Sequence, residues 1–316
     1  MKTVERIFRL EGTTGLGAKP NPGLLGALLV QIPDTLRDAV RMGFLHSSRA
    51  GGRLSRALQA ASEVRFVGCS STSGDFTDVC FELPVFGEAA PELFAQGQLW
   101  DDGPKPESSA FDLLGDAVID IGAGRSNSDH FDKPLLSRVG RYGVLFKKGL
   151  QRVALVGEEQ RTVAQINASV VESAHQLSRK TPASRRVRVT GKLDLMGASQ
   201  GVMKLHLRPG EIVTALWTGQ GDLEQFKHCF NADVVVEGTG VFRPSGTLLR
   251  VEADAVAAAS SQDEFFRELP RSLEAPDYES LLRVRPGEKS AYHRILGVIP
   301  AEESDEEFAA AIEALS

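Results

Sequence analysis

The chain of 316 residues has room for about two domains of roughly 150 residues each, and 42% of its residues are apolar. Its net charge of -6 disfavours general attraction to phosphate but is compatible with a local basic patch. The N-terminus lacks the features of a signal peptide, and the longest apolar run, residues 24–32, is too short to span a membrane. The three cysteines contain no C-x-x-C spacing. We therefore expect a cytoplasmic protein with no membrane segment, no cofactor and no metal.

Residues 1–182 combine strand-like and helix-like patterns, which predicts a mixed α/β domain in a chain of the α+β class. The stretches "VERIFRL" and "EVRFVGC" read as strands, whereas "DTLRDAVRMGFL" has apolar residues at helical spacing. Pro33 is expected to interrupt the preceding apolar run, so that Asp34 caps the helix that follows. Apolar positions three or four apart over residues 162–177 predict a helix that links this domain to the next. The topology of the N-terminal domain stays open.

Residues 183–260 are predicted to form a small five-stranded barrel. The periodicity changes to two at Val187 and Val189, and two further strands, "GVMKLHL" and "EIVTALW", follow. The segment "DLEQFKHCF" then reads as a short helix before the hairpin "VVVEGTGVFRPSGTLLRVEA". This order of elements over residues 185–259 resembles the OB-fold, in which a helix separates the third and fourth strands. SH3-like and other small barrels remain alternatives.

Three short motifs also resemble uncharacterised bacterial proteins: a "GKLDL" strand, an "FRPSG" turn and a closing "GVIPAEESDEEF" segment. The resemblance implies a bacterial, cytoplasmic origin and no particular chemistry.

Basic residues at the start of the barrel are the strongest candidates for a ligand surface. Five cations and no carboxylate occur between Arg179 and Arg188. OB-folds bind nucleic acid on the face that the second and third strands form. However, single-strand binding also uses aromatic stacking, and Phe242 is the one plausible stacker, since Trp217 is expected to be interior. The candidate nucleic-acid-binding residues, called the basic face below, are Arg185, Arg186, Arg188, Lys192, Lys204, Arg208 and Arg243.

Two other patterns could support chemistry but favour simpler interpretations. "GASQG" matches the G-x-S-x-G nucleophile motif at Ser199, yet the strand-like residues after it favour the tip of a hairpin. Asp129, His130 and Asp132 could hold a divalent cation, although Asp is also typical of a helix cap. We assign no catalytic residue and no metal ligand.

The last segment, residues 261–316, is predicted to be an extension that ends in an acidic helix. Residues 301–316 contain six acidic residues and no basic residue, and Ser304 with Glu307 fits a capping box. Phe308, Ile312 and Leu315 would then form an apolar stripe. This stripe is a candidate for binding a partner protein or a second copy, and packing on its own chain is the alternative.

These features favour a non-enzymatic binding or regulatory protein that acts through protein-protein contacts. A toxin-antitoxin or defence-type operon is one setting for such a protein. The alternative is a nucleic-acid-binding protein that uses the basic face. A third hypothesis is an enzyme whose site lies in the N-terminal domain.

Overall fold

The computed structural model describes most of the chain up to residue 270. The described ranges are 2–12, 20–49, 54–73, 76–94, 103–157, 160–197, 201–208, 211–219 and 223–270. The predictions for Ser199 and for the C-terminal helix with Phe308, Ile312 and Leu315 fall outside these ranges. Met1–Glu274 form one compact unit and Ala275–Ser316 a second, which lies outside the described residues. The predicted boundaries at residues 182 and 260 stay predictions.

The N-terminal domain is built on a five-stranded sheet in the order β2-β3-β1-β4-β5, and every neighbouring pair is antiparallel. β1 occupies the centre because alternate residues, including Phe8 and Leu10, are buried against the helices. Both predicted strands of this domain are present, as β1 and β2. The strands are β1 Thr3–Gly12, β2 Arg65–Ser73, β3 Phe76–Pro84, β4 Leu150–Val156 and β5 Thr162–Asn167.

The helices of the N-terminal domain bury their apolar sides in the same core as the sheet. They are α1 Pro22–Leu45, α2 Arg56–Ala61, α3 Phe86–Ala89, α4 Ala110–Gly122, α5 Lys133–Gly140, α6 Tyr142–Phe146 and α7 Ala168–Lys180. A 3-10 helix, Pro91–Leu93, follows α3. Among the described residues, no helix combines the length and the apolar composition that crossing a bilayer requires.

Two sequence predictions in this domain are wrong in part. Pro33 does not interrupt a helix: it lies inside α1, which begins at the Asn21 cap. The buried stripe that includes Leu28, Ile32 and Leu36 continues past the proline, and its packing outweighs the lost backbone hydrogen bond. The predicted linking helix begins at Ala168 and not at Thr162, because residues 162–167 alternate as the edge strand β5.

The five-stranded barrel is confirmed. Its strands close in the order β10-β8-β7-β6-β9, and β8 and β10 are the one parallel pair among its described neighbours. A 3-10 helix, Leu223–Cys229, stands between its third and fourth strands, so the barrel is compatible with an OB-like fold. The whole chain fits the α+β class. The barrel strands are β6 Arg185–Gly197, β7 Val202–Arg208, β8 Glu211–Trp217, β9 Asp233–Phe242 and β10 Leu248–Ala258.

One glycine is needed for the barrel to close. At Gly238 in β9, an added Cβ would lie 2.1 Å from the backbone oxygen of Glu252 in β10. The two strands can therefore approach this closely only when residue 238 has no side chain.

Part of the outer surface of the barrel packs against the apolar core of the N-terminal domain. The side chains of Val202, Leu216, Val241 and Leu249 point away from the barrel core and belong to the apolar cluster of the N-terminal domain. Val202 and Leu216 are register partners on β7 and β8. Part of the face where OB-folds usually bind ligands is consequently buried inside this protein.

Candidate functional site

The basic face is a row of exposed cations along β6. Arg185, Arg186, Arg188 and Lys192 are all exposed on this strand. On β7, Lys204 is half-buried, and the backbone of Arg208 lies opposite Glu211 of β8 at the end of the strand. The structure thus brings most of the predicted residues onto two adjacent strands.

Carboxylates from neighbouring strands balance part of this charge. Arg186 Nη2 donates to Asp254 Oδ1 at 2.8 Å, and Arg188 forms an ion pair with Glu237. The hydrogen bond from Arg186 holds the pKa of Asp254 below its usual value. Since both acids belong to β9 and β10, far along the chain from the arginines, the carboxylate-free stretch of sequence overstates the charge of the folded surface.

The predicted aromatic stacker is wrong. Phe242 has only 1% of its surface exposed and packs in the barrel core. The guanidinium of Arg185 lies 5.5 Å from the centre of the Phe242 ring and covers it from outside. Trp217 is half-buried and packs edge-to-face on Phe226, with 5.0 Å between the ring centres.

Arg243 lies apart from the rest of the basic face, in the turn between β9 and β10. The predicted turn at Pro244, Ser245 and Gly246 is present, with Gly246 at a φ of 82°. Arg243 Nε donates to Asp129 Oδ1 at 2.9 Å, and the Ser245 amide donates to the backbone oxygen of Ser126 at 3.0 Å. This turn is therefore docked on residues 126–132 of the N-terminal domain.

The three metal candidates in that loop point to different partners. Asp129 binds Arg243, His130 Nδ1 lies 2.9 Å from Asp120, and Asp132 caps α5 by accepting from the Leu135 amide. Within the described ranges, no group of three or more His, Cys, Asp or Glu side chains could hold a metal ion. The helix-cap interpretation is confirmed for Asp132.

A buried polar contact, the domain seam, joins the barrel to the N-terminal domain. Arg250 of β10 is 4% exposed and donates through Nη1 to Asp132 Oδ2 at 3.3 Å and to the His46 carbonyl at 2.8 Å. Nη2 of the same guanidinium donates to Glu252 Oε1 at 2.9 Å. Asp132 also accepts from the Ser48 amide at 3.0 Å. The Asp132 carboxylate is thus paired away from water, whereas the buried Nε of Arg250 has no hydrogen-bond partner among the described residues.

His46 ends α1 beside this seam. It has a φ of 51°, in the left-handed region that suits the C-cap of a helix. Burial lowers the pKa of His46, Asp129 acts in the opposite direction, and Lys204, Arg243 and Arg250 act with burial, so that the pKa falls to about 4. His46 is therefore neutral near pH 7.

A second charged surface, the arginine cleft, was missed by the sequence reasoning. It has a volume of about 750 Å³ and lies between α1, α2 and the segment leading into β2. The signal was present in the sequence: residues 39–62 contain four arginines and no carboxylate. Its lining residues are Arg37, Arg41, Leu54, Arg56, Gln59, Ala60, Ser62, Glu63 and Val64.

Comparison with family models, with curated proteins and with solved structures finds no match to this chain.

We expect Arg250→Met to lower the free energy of unfolding by about 3 to 5 kcal/mol, because it leaves the buried Asp132 carboxylate without its cation. Arg186→Met is the matched control, since it breaks an exposed barrel ion pair whose charges are screened by solvent. Urea unfolding of both variants measures the difference. Equal losses of stability would contradict a structural role for the domain seam.

His46→Asn should make stability less dependent on pH, because Asn tolerates the left-handed backbone and does not titrate in this range. In the native protein His46 takes up its proton near pH 4, whereas in the unfolded chain it does so near 6.5. This group therefore adds stability above pH 6.5 that is lost as the pH falls toward 4, at up to about 1.4 kcal/mol per pH unit. Unfolding midpoints at several pH values between 4 and 7 test the difference, and parallel curves for the two proteins would contradict it.

Proposed function

We propose that this chain is a non-enzymatic cytoplasmic binding or regulatory protein that acts by contacting another protein. The observation that supports this proposal most directly is an exposed apolar site on the edge strand β2. Phe66 and Val67 expose 50% and 51% of their surfaces at adjacent positions. Adjacent large apolar side chains at a sheet edge are typical of protein-interaction surfaces.

The backbone of β2 explains why these side chains stand out from the sheet. The register with β3 shifts between Phe66 and Gly68, so Val67 is the extra residue of a bulge. Among the described aromatic residues, Phe66 contacts Phe81 edge-to-face, with 6.0 Å between the ring centres. A second register shift follows between Ser70 and Ser73, so β2 has no long regular edge with which another strand could pair. A partner would therefore contact the side chains of β2.

The C-terminal segment supplies a second proposed contact. The stripe of Phe308, Ile312 and Leu315 would dock on a partner protein or on a second copy, as the sequence predicts. It lies outside the described residues and stays a prediction.

The double variant Phe66→Asp with Val67→Asp should abolish capture of the partner, because charge at this position cannot be buried against an apolar surface. Affinity capture from an extract of the source organism, followed by mass spectrometry, compares this variant with the native protein. Val30→Asp is the matched control, since Val30 is an apolar residue of α1 that exposes 66% of its surface. Identical sets of captured proteins on the native and double-variant baits would contradict the proposal.

A second candidate function, nucleic-acid binding, is supported by the exposed row of cations on β6. Lys192 extends this row beyond the arginines, and no ion pair of Lys192 occurs among the described residues. The proposal is weaker than the first because Glu237 and Asp254 offset two of the arginines.

Replacing Arg185, Arg186 and Arg188 by Glu should abolish retention of oligonucleotides, and binding by the native protein should weaken steeply as salt rises. Fluorescence anisotropy with single- and double-stranded DNA and RNA near about 50 mM salt measures both effects. Absence of binding by the native protein under these conditions would contradict this second function. The control reverses three exposed arginines of the N-terminal domain: Arg125, Arg141 and Arg152.

A further inference from the structure

The arginine cleft is an open, positively charged depression next to the proposed docking site on β2. Its last lining residue, Val64, immediately precedes β2, and Phe66 follows two residues later. We propose that the cleft binds an acidic segment of the partner protein, in which carboxylates alternate with aliphatic side chains. This inference rests on the proposed function, and it adds the chemistry by which the partner would be recognised.

The charge of the cleft is not balanced by its own residues. Three arginines and one carboxylate, Glu63, line it. Glu63 is already engaged, because Arg65 Nη2 lies 2.8 Å from its Oε1. A ligand that enters the cleft therefore meets an excess of positive charge.

The two nearest carboxylates of α1 are held by another helix. Arg138 of α5 donates to Asp38 at 2.8 Å and contacts Asp34 at 3.1 Å. Asp34 also pairs with Arg37 at 3.2 Å, but this contact is exposed and therefore weak. Arg138 thus pairs with both acidic side chains of α1, whereas Arg41, one turn after Arg37 on the same helix, forms no ion pair with them and acts on Asp38 only as a neighbouring charge.

Arg41 and Arg56 are the cleft arginines that a ligand would meet unpaired. Within the described part of the chain neither forms an ion pair, whereas Arg37 pairs with Asp34. A carboxylate in the cleft would therefore not have to displace a carboxylate of this chain from either side chain. The planar guanidinium presents paired N–H groups that match a carboxylate in two-point geometry.

The rest of the lining favours a peptide over a phosphate or a nucleic acid. Leu54, Ala60 and Val64 offer aliphatic contacts that inorganic phosphate cannot use. The described lining residues include no aromatic side chain on which a base could stack. An acidic segment with interspersed leucines satisfies both the arginines and the aliphatic positions, and it could continue toward Phe66 and Val67.

The test uses the full-length protein and a fluorescein-labelled nine-residue peptide of alternating Glu and Leu. Anisotropy should show saturable binding that weakens as salt rises, since the cleft is open to solvent. The same peptide with Gln in place of Glu should bind at least about tenfold more weakly, because the charge-assisted hydrogen bonds are lost.

Arg41→Gln and Arg56→Gln should each weaken binding of the Glu-Leu peptide by about tenfold. Arg141→Gln is the matched control, because it removes an exposed arginine outside the cleft and should leave the affinity unchanged. Arg56 is exposed on α2, so its variant tests the cleft even where Arg41→Gln disturbs folding. Urea unfolding verifies that each variant is folded.

Three results would overturn the inference: no binding of the Glu-Leu peptide by the native protein at millimolar concentration, equal affinities for Arg56→Gln and Arg141→Gln, or stronger binding of a thymidine oligonucleotide or tripolyphosphate than of the peptide.

The double variant at Phe66 and Val67 separates the two proposals. If native capture fails while the arginine variants still lose the peptide, the docking site on β2 is wrong and the cleft stands. If capture succeeds while the peptide ignores the arginines, the cleft is wrong and the docking site stands.

Discussion

The buried ion pair between Arg250 and Asp132 fixes how the barrel meets the N-terminal domain. Each partner also has a second structural role: Arg250 is a residue of barrel strand β10, and Asp132 begins α5. Removing water from both charges is costly, and hydrogen bonds to the two ions offset part of that cost. Ser48 and the His46 carbonyl, which follow α1, each contribute one such bond. A small shift of the barrel would therefore break several hydrogen bonds at once, which gives the domain seam its specificity.

This seam determines which barrel surfaces are left for other molecules. The turn after β9 is a place where OB-folds present a ligand loop, yet here Arg243 and Ser245 bind the loop of residues 126–132. Val202 and Leu216 likewise pack into the N-terminal core. The barrel thus uses part of the side on which OB-folds bind ligands to hold the chain together, and the β6 row that remains is partly neutralised. Cleft arginines without ion pairs and exposed apolar side chains lie instead on α1, α2 and β2.

The sequence predicted the barrel well because its signals are local. Period-two alternation, the Pro-Ser-Gly turn and the short helix each depend on residues close together in the chain. The errors at Pro33 and at residues 162–167 arose where tertiary packing outweighed a local rule. Helix α1 continues past the proline because its buried apolar stripe continues. Residues 162–167 have apolar residues at helical spacing but form the edge strand β5. The burial of Phe242 was also not predictable, since the alternation of residues along a strand does not show which face of the strand points into the barrel near its end.

The two arginine-rich stretches show why charge on a surface is harder to predict than secondary structure. The stretch before β6 looks basic in the sequence, but the fold brings Glu237 and Asp254 beside it from strands later in the chain. The stretch of residues 39–62 looks similar, yet here the two acids of α1, Asp34 and Asp38, are held by Arg138, and neither forms an ion pair with Arg41. The two cases differ only in long-range contacts. Net charge does not separate them either, since the six acids of residues 301–316 account for the whole excess over the 36 Lys and Arg of the chain. What distinguishes a binding surface from a solvated one here is whether the fold has already supplied the counter-charge, and within the described part of the chain neither Arg41 nor Arg56 forms an ion pair.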